Sequence, residues 1–142
     1  MAYWVKIQDQ RKEYVINLDC VNTFCYEKNA RVTFWLPNSS IPIVINPQSN
    51  WEDYQKICDY VEYAQGLDIN HAYWVKIIYE RKEYIINLNC INSFCHEHNG
   101  KLTFWLPDLN FPIIINPISN PESYQKVIHY LEKYTGVYLD NS

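Results

Sequence analysis

Residues 31–47 read RVTFWLPNSSIPIVINP, and seventy positions later residues 101–117 read KLTFWLPDLNFPIIINP. In both stretches the side chains alternate with the period of two that is typical of a β-strand. Phe34 and Leu36 fall on one side of the first strand, and Trp35 falls on the other. Prolines bracket the loop that leads to a second apolar strand, which favours the edge of a sheet. The stretch therefore predicts a strand–loop–strand unit that occurs twice.

This stretch belongs to a repeat that covers nearly the whole chain. Aligning residues 2–66 with residues 72–136 needs no gap and gives 38 identical positions out of 65. A repeat of this kind encodes one structural unit written twice. We predict repeat 1 at residues 1–66, a linker at 67–71, repeat 2 at 72–136 and a tail at 137–142.

Each copy has the pattern of several strands followed by one helix. Tyr54, Ile57 and Val61 recur at helical spacing, so helices are expected at 50–65 and 120–135. The sequence thus predicts an α+β fold, in which each repeat of about 65 residues forms an antiparallel sheet of 4–5 strands followed by one C-terminal helix. Because a lone unit of that size has a marginal core, the copies are expected to pack about a pseudo-two-fold axis, as the subunits of a homodimer do.

Two local signals support these boundaries. Asn99-Gly100 predicts a two-residue hairpin turn, since both positions of such a turn favour positive φ. Its counterpart Asn29-Ala30 is a poorer turn, because alanine resists that conformation. Gly136 lies where a helix commonly ends in a left-handed residue.

Composition and charge exclude several classes of function. The 142 residues are 48% hydrophobic and include 13 Tyr, 5 Phe and 5 Trp, which is sufficient for a packed core. A net charge of -4 gives no basic field that would attract nucleic acid or anionic lipid. The sequence has no apolar run of the roughly 20 residues that span a bilayer, and its start, MAYWVKI, does not have the form of a signal peptide. We expect a cytoplasmic protein without a membrane contact.

The sequence pattern contains no catalytic motif. The three glycines fall near helix ends and in a hairpin, so they form no phosphate-binding loop. No nucleophile beside a base and no pair of carboxylates stands out. We therefore expect a protein that is not an enzyme and takes no cofactor.

Four of the five cysteines recur with the repeat as two C-x4-C pairs: Cys20 with Cys25, and Cys90 with Cys95. An odd separation places the two members of a pair on opposite sides of a straight strand, whereas zinc ribbons place their two to four intervening residues on a tight knuckle. A bulge at Asp19 or Asn89 would bring the two cysteines together. Reduced, buried thiols are the main expectation, and a metal or redox site at these pairs is the alternative. His96 and His98 adjoin the second pair but have no histidine counterpart in copy one, so a founding metal site is not expected.

The strand faces that carry tryptophan are the main candidate for a binding surface. In the first strand Val5, like its counterpart Val75, points away from the neighbouring tryptophan and lysine, and the strand around Trp35 divides in the same way. One interpretation is a surface that binds a partner, and the alternative is that these faces pack together between the copies. The candidate binding residues are Trp4, Lys6, Thr33, Trp35, Trp74, Lys76, Thr103 and Trp105.

Two architectural resemblances bear on the function. The order of strand hairpins and a C-terminal helix resembles a trimmed pleckstrin-homology-type unit, with the corner at residues 17–21 and the helix as matching parts, which implies a binding or scaffolding module. The duplicated unit is also similar to the Pur-alpha and Whirly single-strand binders, which stack bases on aromatic side chains. We predict a non-catalytic protein-interaction module, an adaptor or regulatory subunit, that binds a protein partner or associates with itself. Single-stranded nucleic-acid binding on the same aromatic face is the alternative, although the acidic charge opposes it.

Overall fold

The computed structural model describes residues 3–37, 39, 41–67, 74–107, 109 and 111–139. Within these ranges the protein is a mixed α+β fold with ten strands in three antiparallel sheets and two α-helices. Most of the linker predicted at 67–71, including His71, and the end of the tail predicted at 137–142 lie outside the described residues.

The elements follow the same order in the two sequence copies. Copy one contains β1 (Trp4–Asp9), β2 (Lys12–Asn17), β3 (Thr23–Tyr26), β4 (Val32–Trp35), β5 (Pro42–Ile45) and α1 (Trp51–Leu67). Copy two contains β6 (Trp74–Tyr79), β7 (Lys82–Asn87), β8 (Phe94–His96), β9 (Leu102–Trp105), β10 (Pro112–Ile115) and α2 (Pro121–Tyr130). A π-helical turn at Leu131–Thr135 continues α2, and it ends at Gly136, whose φ of 72° is left-handed.

The strands are not distributed between the sheets as the sequence predicts. One five-stranded sheet has the order β5-β4-β3-β7-β6, so it joins three strands of copy one to two strands of copy two. The hairpin β1-β2 and the meander β10-β9-β8 form the other two sheets. The prediction that each copy forms its own sheet of four to five strands is therefore wrong. The chain leaves β2 through a 3₁₀ turn at Leu18–Cys20, where the Asn17 side chain accepts a hydrogen bond from the Asp19 N–H, and this turn redirects β3 away from β2.

The contact between β3 and β7 is the junction between the copies. Its antiparallel register places Phe24 opposite Ile85 and Cys25 opposite Tyr84. A two-fold axis would pair β8 with β2 in the same way, and the sheets of the described residues do not contain that pairing. The predicted pseudo-two-fold relation is therefore not confirmed.

Each copy has an apolar cluster under its own helix, and the junction interlocks the two clusters. Phe34 and Ile57 belong to the first cluster, and Phe104 and Val127 belong to the second. Cys25 of copy one is buried in the second cluster, whereas Ile85 of copy two is buried in the first. Each copy thus contributes a side chain to the apolar cluster of the other copy at the shared sheet.

The turns between strands differ from the predicted type. The Gly100 N–H donates to the Glu97 carbonyl (2.9 Å) and the Glu97 N–H donates to the Lys101 carbonyl (2.9 Å). Of this turn's residues Gly100 alone has positive φ (86°), as Ala30 does in copy one (68°). The two-residue turn predicted at Asn99-Gly100 is wrong, because the chain makes a tight turn followed by one left-handed residue. Both residues have positive φ in the turns at residues 10–11 and 80–81 instead.

Candidate functional site

Two of the four candidate tryptophans are covered by the opposite copy. Trp74 packs against the first cluster, where its ring centroid lies 6.1 Å from that of Phe24. Trp35 packs against the second cluster. Their counterparts Trp4 and Trp105 are 62% and 48% exposed. At each of the two positions the tryptophan is thus partly buried in one copy and exposed in the other.

The other candidate residues do not complete a common polar surface. Thr33 and Thr103 are buried. Lys6 and Lys76 are exposed on the hairpins, where Lys6 lies 3.8 Å from Glu13 and Lys76 lies 3.1 Å from Glu83. These glutamates offset the positive charge of the lysines, so the face has no basic stripe of the kind that follows a nucleic-acid backbone.

The outer edge of β2 is an apolar strand edge. Its register with β1 places Val15 opposite Lys6, and the Val15 side chain is 65% exposed. The counterpart of Val15 is Ile85, which is buried inside the junction. Tyr14 is half-buried whereas its counterpart Tyr84 is buried. The exposure of this edge reflects the neighbour that it lacks, since the sequence itself is nearly unchanged.

The outer edge of β8 shows the same contrast. Cys95 is exposed whereas its counterpart Cys25 is buried, and burial raises the pKa of the Cys25 thiol. Phe94 is half-buried, whereas Phe24 is fully buried. A cavity of about 300 Å³ adjoins this edge, and its apolar lining is Ile91, Phe94, Tyr130, Leu131, Val137 and Leu139.

A larger groove of about 480 Å³ lies on copy one's helix beside the junction. The Tyr26 hydroxyl points at the Cys58 sulfur there, at 3.7 Å. Burial and the neighbouring Cys58 sulfur raise the pKa of Tyr26, so the phenol stays protonated at neutral pH. A protonated phenol is not a base that could activate the thiol.

The C-x4-C cysteines do not assemble into a ligand set. Cys25 is buried, but Cys20 and Cys95 are exposed, so the expectation of buried thiols is wrong for these two residues. In the described part of the chain no three His, Cys, Asp or Glu side chains lie close enough together to hold a metal ion. His96 instead contacts the Tyr124 hydroxyl at 3.3 Å, a position that packs the end of β8 against α2.

Sequence reasoning missed Val15, Phe94 and Cys95 as candidate interaction residues. Each has a counterpart at the junction, so the repeat identifies them once the β3-β7 pairing is known. The strand pattern by itself cannot reveal them, because it gives the face of a residue and not the identity of the neighbouring strand.

Comparison with known proteins gave no match: no protein-family model fits the sequence, and no curated protein or solved structure is significantly similar to it. The two architectural resemblances therefore gain no support from these comparisons. Across the described residues, the helices are too short or too polar to cross a membrane.

Proposed function

We propose that the protein is a non-catalytic interaction module, of the adaptor or regulatory kind, that binds a protein partner through the surfaces its own copies leave uncovered. The observation that supports this proposal is the contrast between the covered Trp35 and Trp74 and the exposed Trp4 and Trp105. Large aromatic side chains that protrude from a surface are the usual anchors of protein interfaces.

The tandem organisation is part of this proposal. Each copy covers one aromatic residue of the other and keeps one of its own exposed, so the duplication produces a pair of open sites on one chain. Two linked sites raise the apparent affinity for a partner that can engage both of them. The open sites differ in their surroundings, since Trp4 lies on the β1-β2 hairpin and Trp105 on the β8-β9-β10 meander.

A double variant, Trp4→Ala with Trp105→Ala, tests the proposal. We expect the unfolding transition to stay nearly unchanged, since both side chains are exposed, and partner binding to weaken by at least about tenfold. Trp51→Ala is the matched control, because Trp51 is equally exposed (60%) but lies at the start of α1. The readout is quantitative capture of protein partners by the wild type and each variant, followed by titration of the captured partner.

Unaltered capture by the double variant would contradict the proposal. A parallel titration with labelled single-stranded oligonucleotide at low salt addresses the alternative function. Saturable binding at about 10 μM protein that is lost in the double variant would favour nucleic acid over protein as the ligand. The net charge of -4 and the glutamates beside Lys6 and Lys76 oppose that result.

A further inference from the structure

The residues that form the junction between the copies occur a second time on two outer strands. At the junction β3 pairs with β7. The counterparts of these strands are β8 and β2, and within the described ranges each is paired on one side only, β8 with β9 and β2 with β1. The chain therefore displays both halves of a junction that it has already made once.

The polar contacts of the junction can be repeated on the outer strands. Across the junction Lys82 lies 3.8 Å from Glu27, and Tyr84 lies directly opposite Cys25. The same residue types occupy the equivalent positions outside: Lys12, Glu97, Tyr14 and Cys95. The remaining strand positions of the junction change only in part, with Val15 for Ile85, His96 for Tyr26 and Ser93 for Thr23.

The aromatic contact of the junction, between Trp74 and Phe24, has no equivalent in the described part of the other copy, where a cavity lies beside Phe94. Trp74 lies against Phe24. The equivalent residue Phe94 lines the apolar cavity of about 300 Å³ beside β8, and the equivalent tryptophan, Trp4, is 62% exposed. An indole is an apolar ligand of suitable size for such a cavity, and its burial would remove the exposed surface of Trp4 from water.

We propose that a second copy of this chain docks head to tail, with β2 of one molecule pairing antiparallel with β8 of the next and Trp4 entering the cavity beside Phe94. The register is that of the junction, with Val15 opposite Phe94 and Tyr14 opposite Cys95. This inference rests on the proposed function, because it names the protein partner as the chain itself. A contact between two different surfaces closes into a ring or continues as an open chain of molecules.

The hydrogen-bond pattern of the junction identifies a substitution that would disrupt only the proposed contact between molecules. The Asn87 N–H donates to the Asn22 carbonyl at 3.0 Å, so Phe24 and Ile85, two residues further along, also form a hydrogen-bonded pair. By repetition the Val15 N–H points out of the open edge of β2. Proline is tolerated on an edge strand where its missing N–H faces outward, so Val15→Pro removes an intermolecular donor without removing a bond inside the hairpin.

Analytical ultracentrifugation over a range of protein concentrations tests the assembly. We expect wild type and Val15→Thr, which keeps the N–H and the branched shape, to associate with increasing concentration. Val15→Pro is expected to require at least about tenfold higher concentration. Val44→Pro places the same substitution on the exposed β5 edge and controls for any effect of proline on folding. Wild type that stays monomeric, or Val15→Pro that associates as Val15→Thr does, would overturn the inference.

Disulfide formation tests the register. Tyr14 and Cys95 correspond to a non-hydrogen-bonded pair, whose Cα atoms lie about 4.5 Å apart and within the reach of a disulfide. With Cys20 and Cys90 changed to serine, Tyr14→Cys is expected to give covalent dimers and longer oligomers under mild oxidation, and Lys12→Cys, two residues out of register, is not. A Tyr14→Cys product that stays at monomer mass shows closure within one chain and would also overturn the inference.

The two proposals fail in different ways. If the wild type is monomeric but the Trp4→Ala, Trp105→Ala double variant loses a heterologous partner, self-association is wrong and the interaction module stands. If neither association nor capture occurs, both proposals are wrong.

Discussion

Trp74 and Phe24 lie in contact across the junction between the two copies, with ring centroids 6.1 Å apart and ring planes inclined by 36°. Trp74→Ala therefore removes packing from a shared core, and we expect it to lower the free energy of unfolding by about 2 kcal/mol. Trp4→Ala removes the identical residue from an exposed position and should change that free energy by less than about 0.5 kcal/mol. Urea denaturation at low protein concentration measures both, and equal losses would contradict the assignment of Trp74 to the junction.

A single methyl group at the left-handed turn position is expected to lower the stability of both copies, and it is present as Ala30 in copy one and absent at Gly100 in copy two. Ala30 has a φ of 68°, a left-handed conformation that costs a residue with a Cβ about 1–2 kcal/mol. Ala30→Gly is expected to raise the free energy of unfolding by about 1 kcal/mol. Gly100→Ala should lower it, since the added Cβ would lie 3.0 Å from Cγ of Pro117 in a residue with φ of 86°. Thermal unfolding of the two single variants decides this, and a destabilised Ala30→Gly protein would refute the explanation.

The buried Asp53 carboxylate predicts a loss of stability in acid. Burial would raise the pKa of Asp53, but hydrogen bonds from the Gln8 N–H (2.8 Å), Asn50 (3.0 Å) and Lys56 (3.2 Å) outweigh it and lower the pKa. A lowered folded-state pKa stabilises the protein above the unfolded-state value of about 3.9, and this stability is lost as pH falls through the folded-state pKa.

Asp53→Asn is expected to lower the free energy of unfolding by about 1–3 kcal/mol at neutral pH. The difference from wild type should shrink as the pH falls below about 4. Ser123→Ala is the control, since Ser123 is the buried residue at the same position in copy two. A difference that stays constant with pH, measured by urea denaturation at several pH values, would exclude an ionised Asp53 as its cause.

Two buried tyrosines, Tyr60 and Tyr84, and the half-buried Tyr26 lead us to expect a loss of stability in alkali. Burial raises the pKa of Tyr26, Tyr60 and Tyr84 above the ordinary tyrosine value. A raised folded-state pKa gives stability that is complete below the unfolded-state value of about 10 and is lost as pH rises above it. Ultraviolet difference absorbance should therefore show these phenols ionising only when the protein unfolds.

Tyr60→Phe isolates one of these groups. The Tyr60 hydroxyl donates to Oδ1 of Asp19 at 2.8 Å, so the variant should lose about 1 kcal/mol at neutral pH and decline less steeply above about pH 10. Tyr138→Phe removes the hydroxyl of an exposed tyrosine and serves as the control. An unchanged alkaline profile for Tyr60→Phe would be inconsistent with the raised pKa.

The repeat made the elements of this fold predictable, but it could not reveal how they share sheets. Side-chain alternation in RVTFWLP places Phe34 in the core, and Phe34 is buried as expected. The turn in which Asn17 accepts from the Asp19 N–H redirects β3, and this side-chain hydrogen bond has no periodic signature. Because the stretch FWLP is the same in both copies, the local sequence also cannot reveal that Trp35 is partly buried whereas Trp105 is exposed.

The candidate surface was predictable to the same degree. The tryptophans stood out because they repeat. The threonines were expected on an exposed surface, and this expectation is wrong. Thr33 and Thr103 are both buried, and each lies on a strand that pairs on both sides. Alternation identifies opposite faces of a strand, and it does not show whether the second face is covered.

Cys25 and Cys95 differ in reactivity because β3 has β7 as a neighbour at the junction and the matching edge of β8 is open in the described part of the chain. The Cys25 thiol is buried at the junction, and the Cys95 thiol is exposed to reagents. Brief treatment of the native protein with iodoacetamide should therefore modify Cys95 and leave Cys25 unmodified. Because Cys20 is exposed and lies close to Cys25 in the sequence, fragmentation of the peptides has to assign the mass to each cysteine. The extent of modification at Cys95 relative to Cys25 therefore measures how much of the β8 edge is free in a preparation, without a label or a substitution. Any ligand that covers β8 would protect the Cys95 sulfur.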